Sequence, residues 1–533
     1  MQKIAKSTLG SILFLTALSL GTLFFRLGSL PLSGNDEPRY ARIAEEMHLS
    51  GSWVTPTLQD RPWLEKPPLY YWATIPFNAL IESKETAARF APALFAFIAA
   101  LAILWLGRTL YSRLSGLIGA SILLTSLGFT IGGRTAATDM PFTCCLTLGM
   151  AFLAAGVKRD PGRLKILAAY LFLGLAVLGK GPIAIILATG TGLSFWYFNE
   201  NGNVLHRWRI WRGLLVMSMV SVPWFWFAFK ENGYAFITTF FVNHNLARYI
   251  TDIHHHTEPF YYYLPVILLL LFPWSGWLAF VLNKASFKDI RRWRDWDPRM
   301  LYLACWALFP LLFFSLSGSK LAGYILPSLP PISLILGVHI SEWVSNSSKG
   351  VTLKIATILS LVFSTVLAVA SHIYFIKYDS GSWKLGLLLS IVFVTPAILA
   401  LLFGIRGQSG KAFLVTVIQG FLIIVIVVQF AVPVLGKYLS AKEISGIVLE
   451  SMHTGEPVVT YGITDHSLDY YTGYRIAGKA DNPASLERLL QENGQILVVT
   501  EARRVKGIRS IDKIYTEVIG KQGNLRLLRL TRN

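Results

Sequence analysis

The chain has 533 residues, of which 53% are apolar and only 15% charged, whereas a soluble domain carries about a quarter charged residues. Runs of roughly 18 to 22 apolar residues recur, each long enough to cross a hydrocarbon core, so an ordinary soluble fold is excluded. The net charge is +19, but the basic residues lie in short loops between apolar runs and in the C-terminal region, which fits cytoplasmic loops and anionic lipid and excludes a nucleic-acid partner.

The first apolar run, Leu9 to Phe25, follows Lys3 and Lys6. It is longer than a signal-peptide core and has no small-x-small cleavage site, so it reads as a retained span. In all, thirteen spans are expected, at about 8–27, 88–107, 114–131, 139–157, 165–179, 181–198, 213–229, 262–283, 300–317, 321–341, 353–376, 385–404 and 412–433. With the N-terminus inside, the short cytoplasmic segments hold 21 Lys and Arg, and the external loops other than the first are poor in charge. That asymmetry orients the chain. An odd number of spans then puts the C-terminus outside. The predicted fold class is a polytopic α-helical membrane protein, residues 1–433, with long external loops at about 28–87 and 230–261. A small α/β domain follows at 434–533, with helices at 441–453 and 484–493 and strands at 457–461, 495–500, 513–519 and 524–530. Cys144, Cys145 and Cys305 all lie inside apolar runs, so neither disulfides nor a cysteine metal site is implied.

Polar residues of chemical interest gather in the external segments. Asp36, Glu37, Pro38, Arg39 and Tyr40 open an amphipathic helix whose apolar face is Tyr40, Ile43, Ala44 and Met47. Such a helix is expected to lie in the interface, with Asp36 acting either as a simple cap or as a reactive carboxylate. Glu65-Lys66-Pro67-Pro68 is stiffened by its prolines, so Lys66 and Tyr70 are presented in a defined direction. Lys66 suits a phosphate and Glu65 a metal or an acceptor; an exposed ion pair of little worth is the plainer alternative. Asp139 starts the fourth span on the same membrane face and can converge with Asp36. The second long loop carries His244, Arg248 and His254 to His256 ahead of Glu258. Histidines near carboxylates suit a divalent metal, although no HExxH-type spacing is present. Arg248 offers a planar fork for phosphate. Lys320 and Tyr324, about one helical turn apart, can face one cavity, or Lys320 can simply snorkel.

Together these segments resemble the ArnT-like and protein-O-mannosyltransferase-like glycosyltransferases of the GT-C class. The matching pieces are Asp36 to Tyr40, Trp63 to Trp72, Thr138-Asp139, Gly179-Lys180-Gly181-Pro182, His256 to Tyr263 and Ser317 to Pro327. The layout looks most like that of aminoarabinose transferases. The resemblance implies an inverting transfer of a sugar from a polyprenyl (undecaprenyl) phosphate donor at the periplasmic face of a bacterial inner membrane. It implies lipid A or another cell-envelope acceptor, and no nucleotide or organic cofactor. Asp36, Asp139 and Glu37 would be catalytic. Arg39, Tyr40, Lys66, Tyr70, Arg248, Lys320 and Tyr324 would bind substrate. Glu65 with His244 or His256 would hold a metal. Asn243-His244-Asn245 departs from the Glu-His of relatives, which leaves the choice of histidine open. Two alternatives remain: a protein or glycan O-glycosyltransferase, and a transporter or flippase of lipid-linked sugar. Span centres nearly free of charge disfavour the transporter.

Overall fold

The structure is a computed structural model that describes residues 2–199, 203–247, 258–284, 296–346, 351–378, 382–511 and 514–532. The helical part begins with α1 (Gln2–Ala5) and α2 (Thr8–Ser19), the latter continued by a π-helical turn to Phe24. The first external loop is itself structured, with α3 (Asp36–Ser50), a two-residue hairpin β1 (Thr57–Leu58) and β2 (Arg61–Pro62), and α4 (Leu69–Leu80). Then come α5 (Lys84–Leu110), α6 (Arg113–Thr125), α7 (Leu127–Gly133), α8 (Asp139–Ala154), α9 (Arg163–Lys180), α10 (Ile183–Phe198), α11 (Asn203–Arg207) and α12 (Ile210–Phe236). The bundle ends with α13 (Tyr263–Leu271), α14 (Ala279–Lys284), α15 (Pro298–Ser315), α16 (Leu329–Asn346), α17 (Val351–Tyr378), α18 (Trp383–Ile405), α19 (Ser409–Ile426) and α20 (Val432–Leu439).

Every apolar segment expected to span falls on one of these helices or on a bent pair. Among the described residues, seven helices are long and apolar enough to cross a membrane, or nine if each of two bent pairs counts as one. The remaining segments fall short for identifiable reasons. Thr8–Phe24, Asp139–Ala154 and Ile183–Phe198 are shorter apolar helices, and α9 carries Arg163, Lys165 and Lys180 at its ends.

The two breaks complete one another. Helix α6 turns by 69° into α7 at Ser126, and α13 turns by 113° at Pro273. A proline cannot donate to the turn before it, so α13 stops there. Backbone freed inside an apolar bundle must find a partner within the protein. Leu127 N donates to the Phe272 carbonyl at 2.9 Å, and Trp274 Nε1 donates to Thr125 Oγ1 at 2.9 Å. The three cysteines are buried and free.

The C-terminal part has α21 (Lys442–Ser451), β3 (Val458–Tyr461), α22 (His466–Tyr471), β4 (Ile476–Ala480), α23 (Pro483–Asn493), β5 (Gln495–Glu501), α24 (Val505–Arg509), β6 (Ile514–Gln522) and β7 (Leu525–Arg532). The sheet order is β4-β3-β5-β7-β6. Strand β3 pairs in parallel with β4 and β5, while β7 is antiparallel to β5 and β6. Helix α22 and strand β4 escaped the sequence reading. The helix is only one and a half turns long, and Ile-Ala-Gly-Lys-Ala is a poor strand sequence that survives as a sheet edge.

The apolar face of α3 corrects an expectation. Tyr40, Ile43, Ala44 and Met47 are at most 5% exposed. They pack on Tyr70, Tyr71 and Tyr470, so protein and not lipid covers them. The helix ends at Gly51, whose φ of 68° closes the last turn.

One buried ion pair fixes this loop to the bundle. Arg89, 2% exposed, meets both oxygens of Glu37 at 2.8 and 2.6 Å. Its other donors reach the carbonyls of Leu27, Leu30 and Pro31. Removing one member of such a pair costs about 3–5 kcal/mol, because the other charge is left buried. Arg89→Leu is therefore expected to lower the thermal midpoint in detergent far more than Arg39→Leu. Equal midpoints for the two variants would show that the pair does not anchor the loop.

Candidate active site

Six segments bring polar side chains together at one end of the bundle. Helix α3 supplies Asp36 and Arg39 from its first turn. Asn35 occupies the cap position without a side-chain cap bond, so Asp36 is not spent on capping. Its Oδ1 accepts from Arg39 Nη2 at 2.6 Å, and its side chain is 56% exposed. Arg39 also donates from Nε to the Asn35 carbonyl and lies 5.3 Å from the Trp63 ring.

Helix α8 supplies Asp139 at its first position and α9 supplies Lys180 at its last. Lys180 Nζ reaches Asp139 Oδ1 at 2.5 Å, where an anion favours a helix start and a cation a helix end. The same ammonium sits 5.2 Å from the Tyr324 ring and 5.7 Å from that of Phe142. The turn carrying Tyr324 approaches Asp139 so closely that a Cβ on Gly323 would lie 3.5 Å from Oδ1. Lys180 was absent from the candidates read from sequence. The signal was its position in Gly179-Lys180-Gly181-Pro182, where Gly181 takes φ of 75° and lets the chain reverse directly after the lysine.

The third member is Glu65, whose Oε1 lies 3.5 Å from His244 Nε2. Lys66 is half-buried next to it. Tyrosines link the groups. Tyr40 sits with ring centroids 6.1 Å from Tyr70 and 6.2 Å from Tyr71. Burial above all, then Asp36, Tyr71 and to a lesser extent Asp139, push the Tyr40 hydroxyl well above its ordinary pKa, against the pull of Arg39. Both carboxylates thus act on one phenol, and that phenol stays protonated.

The remaining candidates are placed differently. Glu37, grouped with Asp36, has both oxygens on Arg89 and accepts also from Ala136 N at 2.8 Å and Ser33 N at 3.2 Å. It is 6% exposed and holds the loop together, with no face toward a substrate. Tyr70 gives its hydroxyl to the Ala88 carbonyl at 2.9 Å. Lys320 is 7% exposed and donates to the Ser317 carbonyl at 2.7 Å. It stabilises its own turn, while Lys180 takes the place beside Tyr324. Arg248 and His256 lie outside the described residues.

The C-terminal part touches this region through α3, the segment before it and the start of α5. Tyr470 OH donates to Glu45 at 2.6 Å, and Tyr471 OH donates to Glu85 at 2.8 Å and accepts from Leu32 N at 2.8 Å. Lys442 reaches Glu85 at 2.6 Å.

Residues 13–238 match the family model described as dolichyl-phosphate-mannose-protein mannosyltransferase. The undecaprenyl phosphate-alpha-4-amino-4-deoxy-L-arabinose arabinosyl transferase of Pectobacterium carotovorum is 31% identical over 65% of this chain and 63% of its own length. The enzyme of the same name from Erwinia tasmaniensis is 30% identical over 63% of this chain. The matched part thus spans 63% and 60% of these two relatives. The crystal structure of ArnT from Cupriavidus metallidurans bound to undecaprenyl phosphate superposes with a TM-score of 0.79 over 98% of both chains, at 20% identity. The chain is thus similar in sequence to these transferases over about two thirds of its length and shares the fold of ArnT. This likeness extends in fold through the C-terminal sheet, where the sequence offered no motif.

Helix α3 is also tied to the hairpin. Glu46 accepts from Arg42 Nε at 2.7 Å, Thr57 Oγ1 at 2.8 Å and Gln59 N at 2.9 Å. Burial alone would raise its pKa, but Thr57, Arg42 and the Gln59 amide outweigh burial and hold it below the usual carboxylate value. A depressed folded pKa adds stability that is present above the unfolded value of about 4.3 and lost as pH falls through the folded one. Glu46→Gln is expected to melt earlier than the unmodified chain at pH 7, with the gap closing below about pH 4. A gap independent of pH would refute this account of the hairpin.

Proposed function

We propose that the protein is an inverting glycosyltransferase that moves a sugar from a polyprenyl phosphate to an acceptor at the non-cytosolic face of a bacterial inner membrane. The sugar is 4-amino-4-deoxy-L-arabinose and the acceptor lipid A. Identity near 30% to enzymes named for that sugar supports this substrate. The observation that carries the reaction type is a set of three charged pairs, Asp36–Arg39, Asp139–Lys180 (with Tyr324 beside it) and Glu65–His244, whose carboxylates act on the adjoining buried Tyr40 and Tyr71 at one end of an apolar bundle. In this reading thirteen spans form the domain at 1–433, the N-terminus is cytoplasmic, and 434–533 is an extracytoplasmic domain. The excess of Lys and Arg in alternate short loops supports that orientation.

Breaking a glycosyl–phosphate bond leaves negative charge on the departing phosphate. Fixed cations favour that charge increasingly as it develops. Lys66, Arg248 and Lys180 would supply that positive charge, Asp139 steering the last. Asp36, exposed and oriented by Arg39, would take the proton of a hydroxyl acceptor. With a lipid A phosphate, already ionised, it would instead stabilise the oxocarbenium-like sugar. Direct displacement inverts the anomeric carbon; a sugar trapped covalently on Asp36 would overturn this. Glu65 and His244 are separated as two ligands of one divalent ion would be, given metal–ligand distances of about 2.0–2.2 Å. Among the described residues no third His, Cys, Asp or Glu joins them, and His256 lies outside that set. A divalent ion held there would add positive charge beside the phosphate.

The test is transfer by purified protein from undecaprenyl-phosphate aminoarabinose to lipid A, read by mass spectrometry. Asp36→Asn is expected to lose at least about a hundredfold in rate. Its thermal shift with undecaprenyl phosphate should stay as in the unmodified protein. Wild-type rates from Asp36→Asn would remove the carboxylate from the mechanism. A mass gain on protein hydroxyls in place of lipid A would redirect the acceptor, in line with the mannosyltransferase family model.

A further inference from the structure

Several buried tyrosines in this protein spend their hydroxyls on protein acceptors. Tyr70 donates to the Ala88 carbonyl, Tyr302 to that of Met150, Tyr470 to Glu45 and Tyr471 to Glu85. Tyr71 differs from these four. It is fully buried, and its hydroxyl has no hydrogen-bond partner among the described residues. Its ring is held edge-on to Tyr70 and Tyr40, with centroids 5.7 and 6.2 Å away, so the hydroxyl has little freedom to turn elsewhere. Trp63 Nε1, packed on the same cluster beneath Arg39, is a second buried donor left without an acceptor.

A phenylalanine would fill this place without the cost of an unmet hydroxyl. The charged groups acting on Tyr71 are Glu65, Arg39 and Asp36, all from the candidate site. Burial first, then Glu65 and neighbouring Tyr70, keep its proton on, so it faces a ligand as a donor. A buried donor that is satisfied only by the right ligand also discriminates against ligands lacking that oxygen.

We infer that Tyr71 is a ligand-binding residue whose hydroxyl donates to an oxygen of the polyprenyl-phosphate sugar head group. This rests on the function proposed above. The oxygen belongs either to the phosphate or to the sugar, and the experiment separates the two.

Full-length Tyr71→Phe is compared with the unmodified protein in three measurements: thermal midpoint without ligand, midpoint shift with undecaprenyl phosphate, and kcat/KM for transfer to lipid A. The ligand-free midpoint should not fall, since no made bond is lost. Tyr70→Phe, which does lose one, sets the scale for a structural hydroxyl. The kcat/KM should fall about tenfold to a hundredfold. A reduced shift with undecaprenyl phosphate assigns the bond to phosphate; an unchanged shift with reduced kcat/KM assigns it to the sugar. Wild-type kcat/KM in Tyr71→Phe overturns the inference and leaves the proposed function standing. So does a ligand-free midpoint lowered as far as in Tyr70→Phe. An unmodified protein that neither transfers nor shifts defeats both.

Discussion

Everything at this site depends on the ion pair of Glu37 and Arg89. It sits where burial of either charge alone would cost several kcal/mol. It is tolerated because its hydrogen-bonding capacity is used: Arg89 serves Leu27, Leu30, Pro31 and Glu37, and Glu37 accepts also from Ser33 and Ala136. Those contacts join four pieces of chain: α5, which carries Arg89, the segment after the first apolar helix, the first turn of α3, and the turn before α8. Asp36 is the neighbour of Glu37, and Asp139 follows Ala136 by three residues. The buried pair therefore brings two partly exposed carboxylates to one place without either having to hold the structure.

The second constraint comes from the far end of the chain. Helix α22 lays Tyr470 and Tyr471 against α3 and the start of α5, and Lys442 joins them at Glu85. Arg42 of α3 lies 5.2 Å from the Tyr474 ring. Helix α3 is thus gripped on one side by the bundle and on the other by the C-terminal sheet unit. A helix of fifteen residues with such a polar surface would be marginal alone in water. Its geometry is a tertiary property, and so is the direction in which Asp36 points.

That explains what could and could not be read from the chain. The apolar helices were legible because length and hydropathy suffice for them, and the start of α3 because Asp-Glu-Pro is a helix opening. The protein-covered face of α3 was not legible. Tyr40, Ile43, Ala44 and Met47 look the same whether lipid or tyrosines cover them, and the covering Tyr470 is more than 400 residues away in sequence. The division of labour between Asp36 and Glu37 was equally hidden, because it is set by Arg89 from another helix. Lys180 and Lys320 were exchanged for a similar reason. Each ends or follows an apolar run beside small residues, and only the fold shows that Lys320 turns back to its own carbonyl while Lys180 reaches Asp139.

The charges at the site come in pairs: Asp36 with Arg39, Asp139 with Lys180, Glu65 with His244. Unlike Glu37 and Arg89, these are partly exposed, with side-chain exposures from 17% to 56%. Pairs of that kind are worth at most about 1 kcal/mol each. They hold each group in place, yet in the proposed function they are weak enough for a cation to be shared with an arriving phosphate or for a carboxylate to turn toward an acceptor. A lone buried lysine would lose its proton or demand a permanent partner. A lysine tied lightly to a helix-starting aspartate stays available. The strong pair thus builds the frame, and the weak pairs are the ones positioned to meet charge as it moves.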